Sequence, residues 1–355
     1  MPNVGAVVIG RNEGDRLKRC LKSLLAKVGT TIYVDSGSTD GSTEMARTLG
    51  CEIVQLDSSV AFTAARARNA GFQRLLQVLP NARFVQFVDG DCEVCGGWLT
   101  HAVASLKSDG LLAVVCGRRR ERFPDASVYN RLCDIEWNTP IGPAKSCGGD
   151  AMFRVSAFQE IGGYNPDIIA GEEPELCVRL RAAGWKVMRL NEEMTLHDAA
   201  ITHFSQWWKR TVRSGHAYAE GYARHGQPPE RFNVRQVRSI LVWGALDPLL
   251  IIASLALSYW HARLAIVAVV LLLGYIALSL RVYRGQRRRG LGPRHAALYA
   301  AFVMLGKIPQ SIGSMKYALN YKLGRSTALI EYKNAVRKNA ASQSLSPAGG
   351  TQDAA

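Results

Sequence analysis

The stretch Phe84-Val85-Gln86-Phe87-Val88-Asp89-Gly90-Asp91 decides the fold, because an apolar run ends there in two carboxylates. Its apolar residues are β-branched or aromatic and predict a buried strand. At the end of such a strand, Asp89 and Asp91 would lie at the carboxyl edge of an open α/β sheet, where ligands bind. Two hard oxygen donors beside a flexible glycine suit Mg²⁺ or Mn²⁺ carrying a diphosphate. A polar turn without a metal is the alternative, since Asp and Gly are common in turns.

Upstream of this stretch, strands and helices alternate in the pattern of a parallel, nucleotide-binding sheet. Strands are predicted at 4–9, 31–34 and 51–56, and helices at 17–25, 43–49 and 64–78. Polar segments follow the first two strands: Arg11-Asn12-Glu13 after the first, and the glycine-rich loop 35–42 after the second. The predicted fold class is therefore α/β, with a mostly parallel sheet and flanking helices.

Four motifs in this order resemble the family-2 glycosyltransferases of GT-A fold, over roughly residues 4–216. They are the loop 35–42, the segment Arg68-Asn69-Ala70-Gly71, the Asp89-Gly90-Asp91 turn, and the run 171–185, which begins Gly-Glu-Glu-Pro-Glu. The resemblance implies that the first loop holds the nucleotide base and ribose. It also implies that the Asp-Gly-Asp turn holds the sugar-nucleotide diphosphate through a divalent cation, and that an acidic pair before a helix supplies the catalytic base.

Specific residues follow from these motifs and their neighbours. The residues expected to bind the donor are Arg11, Asn12, Glu13, Asp35, Gly37, Ser38, Asp40, Arg68, Asn69, Asp89 and Asp150. The expected metal ligands are Asp89, Asp91 and His197, and the expected base is Glu173 or its neighbour Glu172. The sequence departs from the family at Ser36, which leaves the base contact to Asp35 alone, and at Glu172-Glu173, where family members usually have Glu-Asp.

Several of these residues also have a purely structural interpretation. Glutamates at a helix start are stabilised by the helix dipole, although a cap needs one acid and not three within four residues. His197 is equally expected as a packed residue or as a metal ligand. Gly148 and Gly149 permit a close backbone approach to a ligand, and Asp150 could take sugar hydroxyls; a tight turn with a solvated Asp is the alternative.

Aromatic and basic residues alternate after His197, at Trp207, Trp208, Arg210 and Arg213. This composition suits a lid over a diphosphate or an acceptor-binding face, and equally a basic face at a membrane surface. The segment resembles the Gln-x-x-Arg-Trp signature of processive family members only loosely, which argues against a polymerising synthase.

Composition separates the chain from secreted and zinc-stabilised proteins. A net charge of +15 favours anionic partners, such as a nucleotide or phospholipid head groups. The first apolar run is too short for a secretory signal, so the eight cysteines are expected to be reduced. Cys92 and Cys95 have metal-ligand spacing, but no second pair completes a zinc site.

Two apolar segments at 240–260 and 264–280 predict a transmembrane hairpin with a tight turn between them. Arginines flank both ends, so the positive-inside rule puts these ends and the catalytic domain in the cytoplasm. The segment 296–312 is predicted to be interfacial or re-entrant, and 340–355 to be disordered. The predicted division is a catalytic domain at 1–232, the hairpin at 233–290, interfacial helices at 291–339 and a tail at 340–355.

Together these expectations describe an inverting glycosyltransferase anchored in the cytoplasmic (inner) membrane by more than one span. The expected donor is a nucleotide-sugar, with UDP favoured, the cofactor is Mg²⁺ or Mn²⁺, and the acceptor is membrane-associated and lipid-linked. Nucleic acid is not an expected partner. A polyprenyl-phosphate glycosyltransferase and a non-enzymatic membrane scaffold remain as alternatives.

Overall fold

The computed structural model describes residues 1–325, and its central element is a nine-stranded β-sheet. The predicted tail at 340–355, and residues 326–339 of the predicted interfacial helices, lie outside the described residues. In chain order the elements up to the end of the sheet are β1 (Val4–Gly10), α1 (Asp15–Leu24), β2 (Thr30–Asp35), α2 (Ser42–Thr48), β3 (Glu52–Gln55), α3 (Ala64–Val78), β4 (Phe84–Asp89), β5 (Cys92–Val94), α4 (Trp98–Ser108), β6 (Leu112–Glu121), α5 (Val128–Glu136), β7 (Gly142–Pro143), β8 (Ala151–Arg154), α6 (Val155–Glu160), α7 (Glu172–Ala182) and β9 (Lys186–His197).

The sheet has a parallel half and a mixed half. Its strand order is β3-β2-β1-β4-β8-β6-β9-β5, with β7 paired to β9. The first four strands in this order are parallel, as predicted, and their apolar runs are buried within the core. Beyond β4 the sheet is mixed, because β8 runs antiparallel to both β4 and β6, and β5 runs antiparallel to β9. The α/β class with flanking helices is confirmed, and the parallel arrangement covers only the first half.

Six α-helices follow the sheet within the described residues, up to position 325. They are α8 (Phe204–His225), α9 (Val234–Leu241), α10 (Asp247–Leu257), α11 (Leu264–Arg288), α12 (Pro293–Leu305) and α13 (Lys307–Lys322). Two continuous helices are long and apolar enough to cross a membrane: Val234–Leu257 and Leu264–Arg288. Only 22% and 6% of their most apolar windows are buried within the protein, which is unlike the helices of a soluble core.

The first of these helices contains a π-helical turn at Val242–Leu246, just before Pro248. Proline has no N–H to donate to the carbonyl four residues earlier, which belongs to Gly244. The hydroxyl of Ser311 on α13 donates to that Gly244 carbonyl instead, at 2.8 Å. The proline that interrupts the predicted span is therefore accommodated by a hydrogen bond from a later helix.

The segment predicted as one interfacial helix at 296–312 is two helices that meet at Gly306. The second, α13, packs closely against α8. A Cβ on Gly313 would lie 1.9 Å from the Val212 carbonyl oxygen, and one on Gly215 would lie 2.0 Å from the Gln310 oxygen. This helix therefore packs against the helix that follows the sheet. The predicted domain boundaries stay a prediction.

Candidate active site

Three polar loops meet because the strands that precede them pair in register. Gly10 of β1 lies opposite Asp35 of β2, and Ile9 of β1 lies opposite Asp89 of β4. The loops after β1, β2 and β4 therefore share the carboxyl edge of the parallel half, where α/β folds bind ligands. Residues that are far apart in the sequence are thus brought into one cleft.

Asp35 organises the loop that follows β2. Its Oδ2 accepts hydrogen bonds from the backbone N–H groups of Gly37 at 3.0 Å and Ser38 at 2.9 Å. Its Oδ1 accepts one from the Tyr33 hydroxyl at 2.9 Å, and the residue is 3% exposed. Asp35 therefore fixes the shape of the loop that is predicted to hold the nucleotide.

Asn12 and Asp40 join the loops after β1 and β2. The backbone N–H of Asn12 donates to Ser38 Oγ at 2.9 Å, and the Thr39 N–H donates to Asn12 Oδ1 at 2.7 Å. The Gly14 N–H donates to Asp40 Oδ2 at 3.1 Å. These bonds close one side of the cleft.

The neighbours of Asn12 contribute charge beside the same loops. The Arg11 guanidinium lies 5.6 Å from the centre of the Phe62 ring. Glu13 forms an ion pair with Arg16 at 2.6 Å. Direct contacts from Arg11 and Glu13 to a donor stay predictions.

Arg68 is the centre of an acidic cluster. Its side chain is 2% exposed, and its guanidinium lies 2.8 Å from Asp89, 2.9 Å from Glu172 and 3.1 Å from Glu173. The backbone passes close by at Gly149, where a Cβ would lie 2.3 Å from Arg68 Nη2. The lack of a side chain at Gly149 therefore leaves room for Arg68. The Arg68 side chain links the end of β4 to the start of α7.

Asn69, the next residue, does not join this cluster. Its Nδ2 donates to the Tyr164 carbonyl at 2.7 Å, and its Oδ1 accepts from the Tyr164 N–H at 2.9 Å. Both ends of the amide thus bind one backbone unit, and the predicted donor contact stays a prediction. Asn69 tethers the turn that leads towards α7.

The first turn of α7 carries three glutamates in different surroundings. The Glu173 side chain is 16% exposed and that of Glu172 is 5% exposed. Burial and the charge of Glu172 raise the pKa of Glu173 to about 7, although Arg68 opposes this shift. Glu175 points elsewhere and pairs with Arg179 at 2.9 Å. A partly accessible carboxylate with a pKa near neutrality has the properties of a general base.

Asp150 is completely buried, and its predicted contact with sugar hydroxyls stays a prediction. Its Oδ1 accepts from the Asp89 backbone N–H at 3.0 Å. Its Oδ2 accepts from Thr195 Oγ1 at 2.8 Å and from Arg119 Nε at 2.8 Å. With 0% exposure and both oxygens occupied, Asp150 positions Asp89 and Arg119.

His197 and Asp91 lie side by side because β5 runs antiparallel to β9. Cys92 is opposite His197 in this pairing, which brings His197 Nε2 within 3.3 Å of Asp91 Oδ2. The ligand atoms of Asp91, Cys92 and His197 all lie within 4.8 Å of one another. Asp89, Cys92 and Asp150 form a second group with the same spacing.

The charges around these groups fit a divalent cation. Five carboxylates surround two buried arginines: Asp89, Asp91, Asp150, Glu172 and Glu173 around Arg68 and Arg119. The carboxylates outnumber the arginines, and carboxylate with imidazole is a donor set that suits Mg²⁺ or Mn²⁺.

The aromatic and basic segment on α8 does not form a lid. Trp207 is 4% exposed and packs edge-on against Phe302 of α12, with ring centres 5.0 Å apart. Trp208 lies beside the Phe204 ring at 5.7 Å. The sequence pattern of tryptophans among cations does not say whether the tryptophans face the protein or the solvent. In the structure, Trp207 faces the protein interior.

The two basic residues of this segment bind protein groups. Arg210 pairs with Glu136 at 2.9 Å, and Arg213 donates to the Ile169 carbonyl at 3.1 Å. Arg213 therefore supports the loop that precedes α7. Contacts of this segment with an acceptor stay a prediction.

Arg119 and Thr195 are site residues that the sequence prediction missed. Arg119 bridges Asp89 at 3.2 Å and Asp150 at 2.7 Å, and its guanidinium lies over the Trp137 ring at 5.4 Å. Three consecutive arginines at the end of the apolar β6 segment could have indicated this role. Thr195 has no comparable signal.

Comparison with known proteins agrees with this geometry. Residues 6–162 match the family described as Glycosyl transferase family 2. The chain is 24% identical over 263 residues to the succinoglycan biosynthesis protein ExoA of Rhizobium meliloti, covering 70% of this chain and 74% of that protein. It is 25% identical over 186 residues to the O-antigen chain rhamnosyltransferase RfbN of Salmonella typhimurium, covering 48% of this chain and 57% of that protein.

Among solved structures, the fold is similar to that of the mannosyltransferase PcManGT from Pyrobaculum calidifontis, determined with GDP-Man and Mn²⁺. The TM-score is 0.58 at 19% identity, over 88% of this chain and 87% of that chain. At this identity the likeness concerns the fold. The family match places a Glycosyl transferase family 2 domain at residues 6–162, on a GT-A-like fold, in a chain similar to named bacterial glycosyltransferases.

Proposed function

We propose that the chain transfers a sugar from a nucleotide-sugar, with UDP favoured, to a hydroxyl of a lipid-linked glycan, with inversion at the anomeric carbon. The reaction would serve polysaccharide biosynthesis, which is also the context of the succinoglycan and O-antigen relatives. The catalytic domain would lie on the cytoplasmic face of the inner membrane.

The observation that carries this proposal is the Arg68 cluster. Asp89, at the donor end of the parallel sheet, and Glu173, at the start of α7, both contact one buried guanidinium. Arg68 thus holds the proposed base, Glu173, at a fixed distance from Asp89, which is proposed to lie next to the donor diphosphate. Glu173 would take the proton from the acceptor hydroxyl as that oxygen attacks the anomeric carbon, on the face opposite the leaving nucleotide.

Asp91, His197 and Asp89 would hold a divalent cation. When bound, such a cation supplies charge neutralisation for the diphosphate that departs from the sugar. The carboxylates are kept in place by the protein itself: Asp150 accepts from the Asp89 backbone N–H, and Arg119 bridges both side chains. Mg²⁺ and Mn²⁺ both suit this donor set.

The membrane-bound acceptor is supported by the position of the two exposed apolar helices, which follow α8 in the chain. A water-soluble donor combined with a membrane hairpin makes sense if the acceptor lies in the bilayer. The hydroxyl nucleophile is supported by the raised pKa of Glu173, because a phosphate nucleophile is already ionised and needs no base.

A donor screen with the full chain in detergent tests the proposal. Nucleotide release from UDP-, GDP- and dTDP-sugars would be measured with a membrane lipid extract as the acceptor, in Mn²⁺ and in EDTA. We expect release that depends on the acceptor and on the metal, strongest with a UDP-sugar. Transfer to polyprenyl phosphate with no dependence on Glu173 would identify the rival enzyme, and the absence of nucleotide binding would leave a scaffold.

A further inference from the structure

A second cavity of about 420 Å³ lies between α5 and α8 on one side and α12 and α13 on the other. Its volume is within the range of small-molecule binding sites and exceeds the space needed by a diphosphate. The polar residues that line it and bear on its chemistry are Glu136, Arg210, Tyr218, Tyr299, Lys307 and Gln310.

Lys307 gives the cavity its unusual charge. Among the described residues, no carboxylate pairs with its ammonium group, and burial alone lowers the pKa of Lys307. The Oε1 atom of Gln310, one helical turn later, is also buried without a hydrogen-bond partner in the described part of the chain. The half-buried Lys307 ammonium group can therefore donate to an anionic ligand, while the Gln310 oxygen can accept from a hydroxyl or a water beside it.

The other charges of the lining do not cancel this cation. Arg210 and Glu136 form their own ion pair at 2.9 Å, which leaves one formal positive charge on Lys307. The hydroxyl groups of Tyr218 and Tyr299 add neutral donors. An anion with several acceptor oxygens, such as phosphate or diphosphate, has the matching chemistry.

The position of the cavity favours a lipid as the source of this anion. Gly244, in the π-helical turn of the first apolar helix, packs against the Lys307 backbone, where a Cβ would lie 2.1 Å from the Lys307 oxygen. On the opposite side, Glu136 is adjacent to Trp137, whose ring centre lies 4.7 Å from that of His197. The cavity therefore lies between the membrane helices and the wall of the metal site.

We propose that this cavity binds the diphosphate that joins a carrier lipid to the acceptor glycan. The proposal rests on the proposed function for the identity of the acceptor. It specifies where the carrier is held: the diphosphate at Lys307, the lipid along the membrane helices, and the glycan extending past Trp137 towards Glu173.

Binding to the full chain in detergent tests the proposal without sugar transfer. Farnesyl diphosphate, farnesol and inorganic pyrophosphate would be titrated in EDTA, so that no metal–diphosphate complex fills the donor site. We expect farnesyl diphosphate to bind most tightly. Lys307→Gln should weaken it about tenfold or more, the usual effect of losing a charged hydrogen bond. Lys316→Gln, the same change at an exposed position of α13, should have no effect.

Tyr299→Phe removes one hydroxyl and should weaken binding by roughly 2- to 10-fold, so it carries the test if Lys307→Gln does not fold. UDP affinity in Mn²⁺ should be unchanged in both variants. Equal binding of wild type and both variants would overturn the site, and equal affinity for pyrophosphate would overturn the lipid source. If the wild type does not bind UDP, the proposed function is refuted, while the farnesyl diphosphate measurement still tests the cavity.

Discussion

Glu173 and Glu175 lie two residues apart on one helix, but their carboxylates have different tasks. Glu175 is bound by Arg179 at 2.9 Å and by His225 at 3.1 Å, so both ends of its carboxylate are held by the protein. Glu173 shares Arg68 with two other acids and retains an accessible side. Glu173 can therefore accept a proton from a ligand, while Glu175 joins α7 to α8.

Glu173→Gln should bind UDP and metal as the wild type does and lose transfer by about 10²–10⁴-fold, because a general base acts in the transition state. Glu175→Gln is the matched control: it should keep most of the rate and lower the thermal midpoint, since it weakens the Arg179 and His225 contacts. UDP affinity and initial rates under one set of conditions provide the measurement. A Glu173→Gln rate above about a tenth of wild type would exclude this residue as the base, and a collapse in Glu172→Gln alone would move the role there.

The pH dependence follows from the same carboxylate. A base is active when deprotonated, and the pKa of Glu173 is raised to about 7, so kcat/KM should rise with pH through about 7 and level off above it. Glu173→Gln has no group to titrate there, and its residual rate should be flat across that range. A wild-type profile that is already flat between pH 5 and 8 would contradict the assignment.

Asp91→Asn keeps the shape of the side chain and removes a charge from the predicted metal site. Turnover should fall by at least ~10²-fold, the scale of losing one electrostatic stabiliser, and Mn²⁺ should no longer raise the thermal midpoint. Asp167→Asn makes the same change at an exposed loop and should behave as wild type. Near-normal turnover of Asp91→Asn, with wild-type activity in excess EDTA, would rule out a metal ligand at this position.

At the scale of elements, the most extensive helix–helix contact in the described chain is that of α8 with α13. The two helices approach through glycine, because a Cβ at Gly313 or Gly215 would overlap the backbone of the other helix. Ser314 Oγ adds a hydrogen bond to the Gly215 carbonyl at 3.0 Å. The sequence prediction placed α13 at the membrane surface because its composition mixes apolar and basic residues.

Gly313→Ala should destabilise the protein by about 1–3 kcal/mol, the usual cost of overpacking, since its Cβ would lie 1.9 Å from the Val212 oxygen. The thermal midpoint in detergent would report this loss. Gly285→Ala is the control, because a Cβ there meets nothing within 4 Å. Equal midpoints for the two variants would show that α13 does not pack as described.

The sequence predicted the elements whose signals are local. Strands β1 to β4 and helix α7 have continuous apolar runs or clear helical spacing, and the Asp-Gly-Asp turn stands where an apolar run ends. Contacts that depend on long-range pairing were not predictable in this way. Arg119 and Thr195 reach Asp150 only because β6 pairs with β8 on one side and with β9 on the other, and Asn69 binds the Tyr164 backbone across 95 residues of sequence.

At the scale of the whole molecule, the two apolar helices are joined by a short turn at 258–263 that projects away from the sheet. Tyr259 is 86% exposed and Trp260 is 69% exposed in this turn, and such aromatic residues favour the membrane–water interface. The arginines at the other end continue into α12, and Arg289 donates to the Asn138 carbonyl at 2.7 Å. The arginine-rich end therefore contacts the catalytic half, and we predict that both lie on one side of the bilayer.

A reporter fused after Arg289 should give a cytoplasmic signal, and one inserted between Trp260 and His261 should give an external signal. The physical reason is the concentration of arginine at one end of the hairpin, which resists translocation. Alkaline phosphatase and green fluorescent protein fusions distinguish the two sides. A cytoplasmic signal at residue 260 would indicate a hairpin that lies on the membrane without crossing it.

The packing of α13 on α8 has a consequence for biosynthesis. At about 5–20 residues per second, α13 follows α8 out of the ribosome by roughly 4–16 s, and both apolar helices are made in between. The nascent sheet can close its nucleotide side before any membrane helix exists. The carrier-lipid cavity is complete only when α13 arrives, after the hairpin has been synthesised. If the proposed function is correct, the chain completes its donor-binding half before its acceptor-binding half.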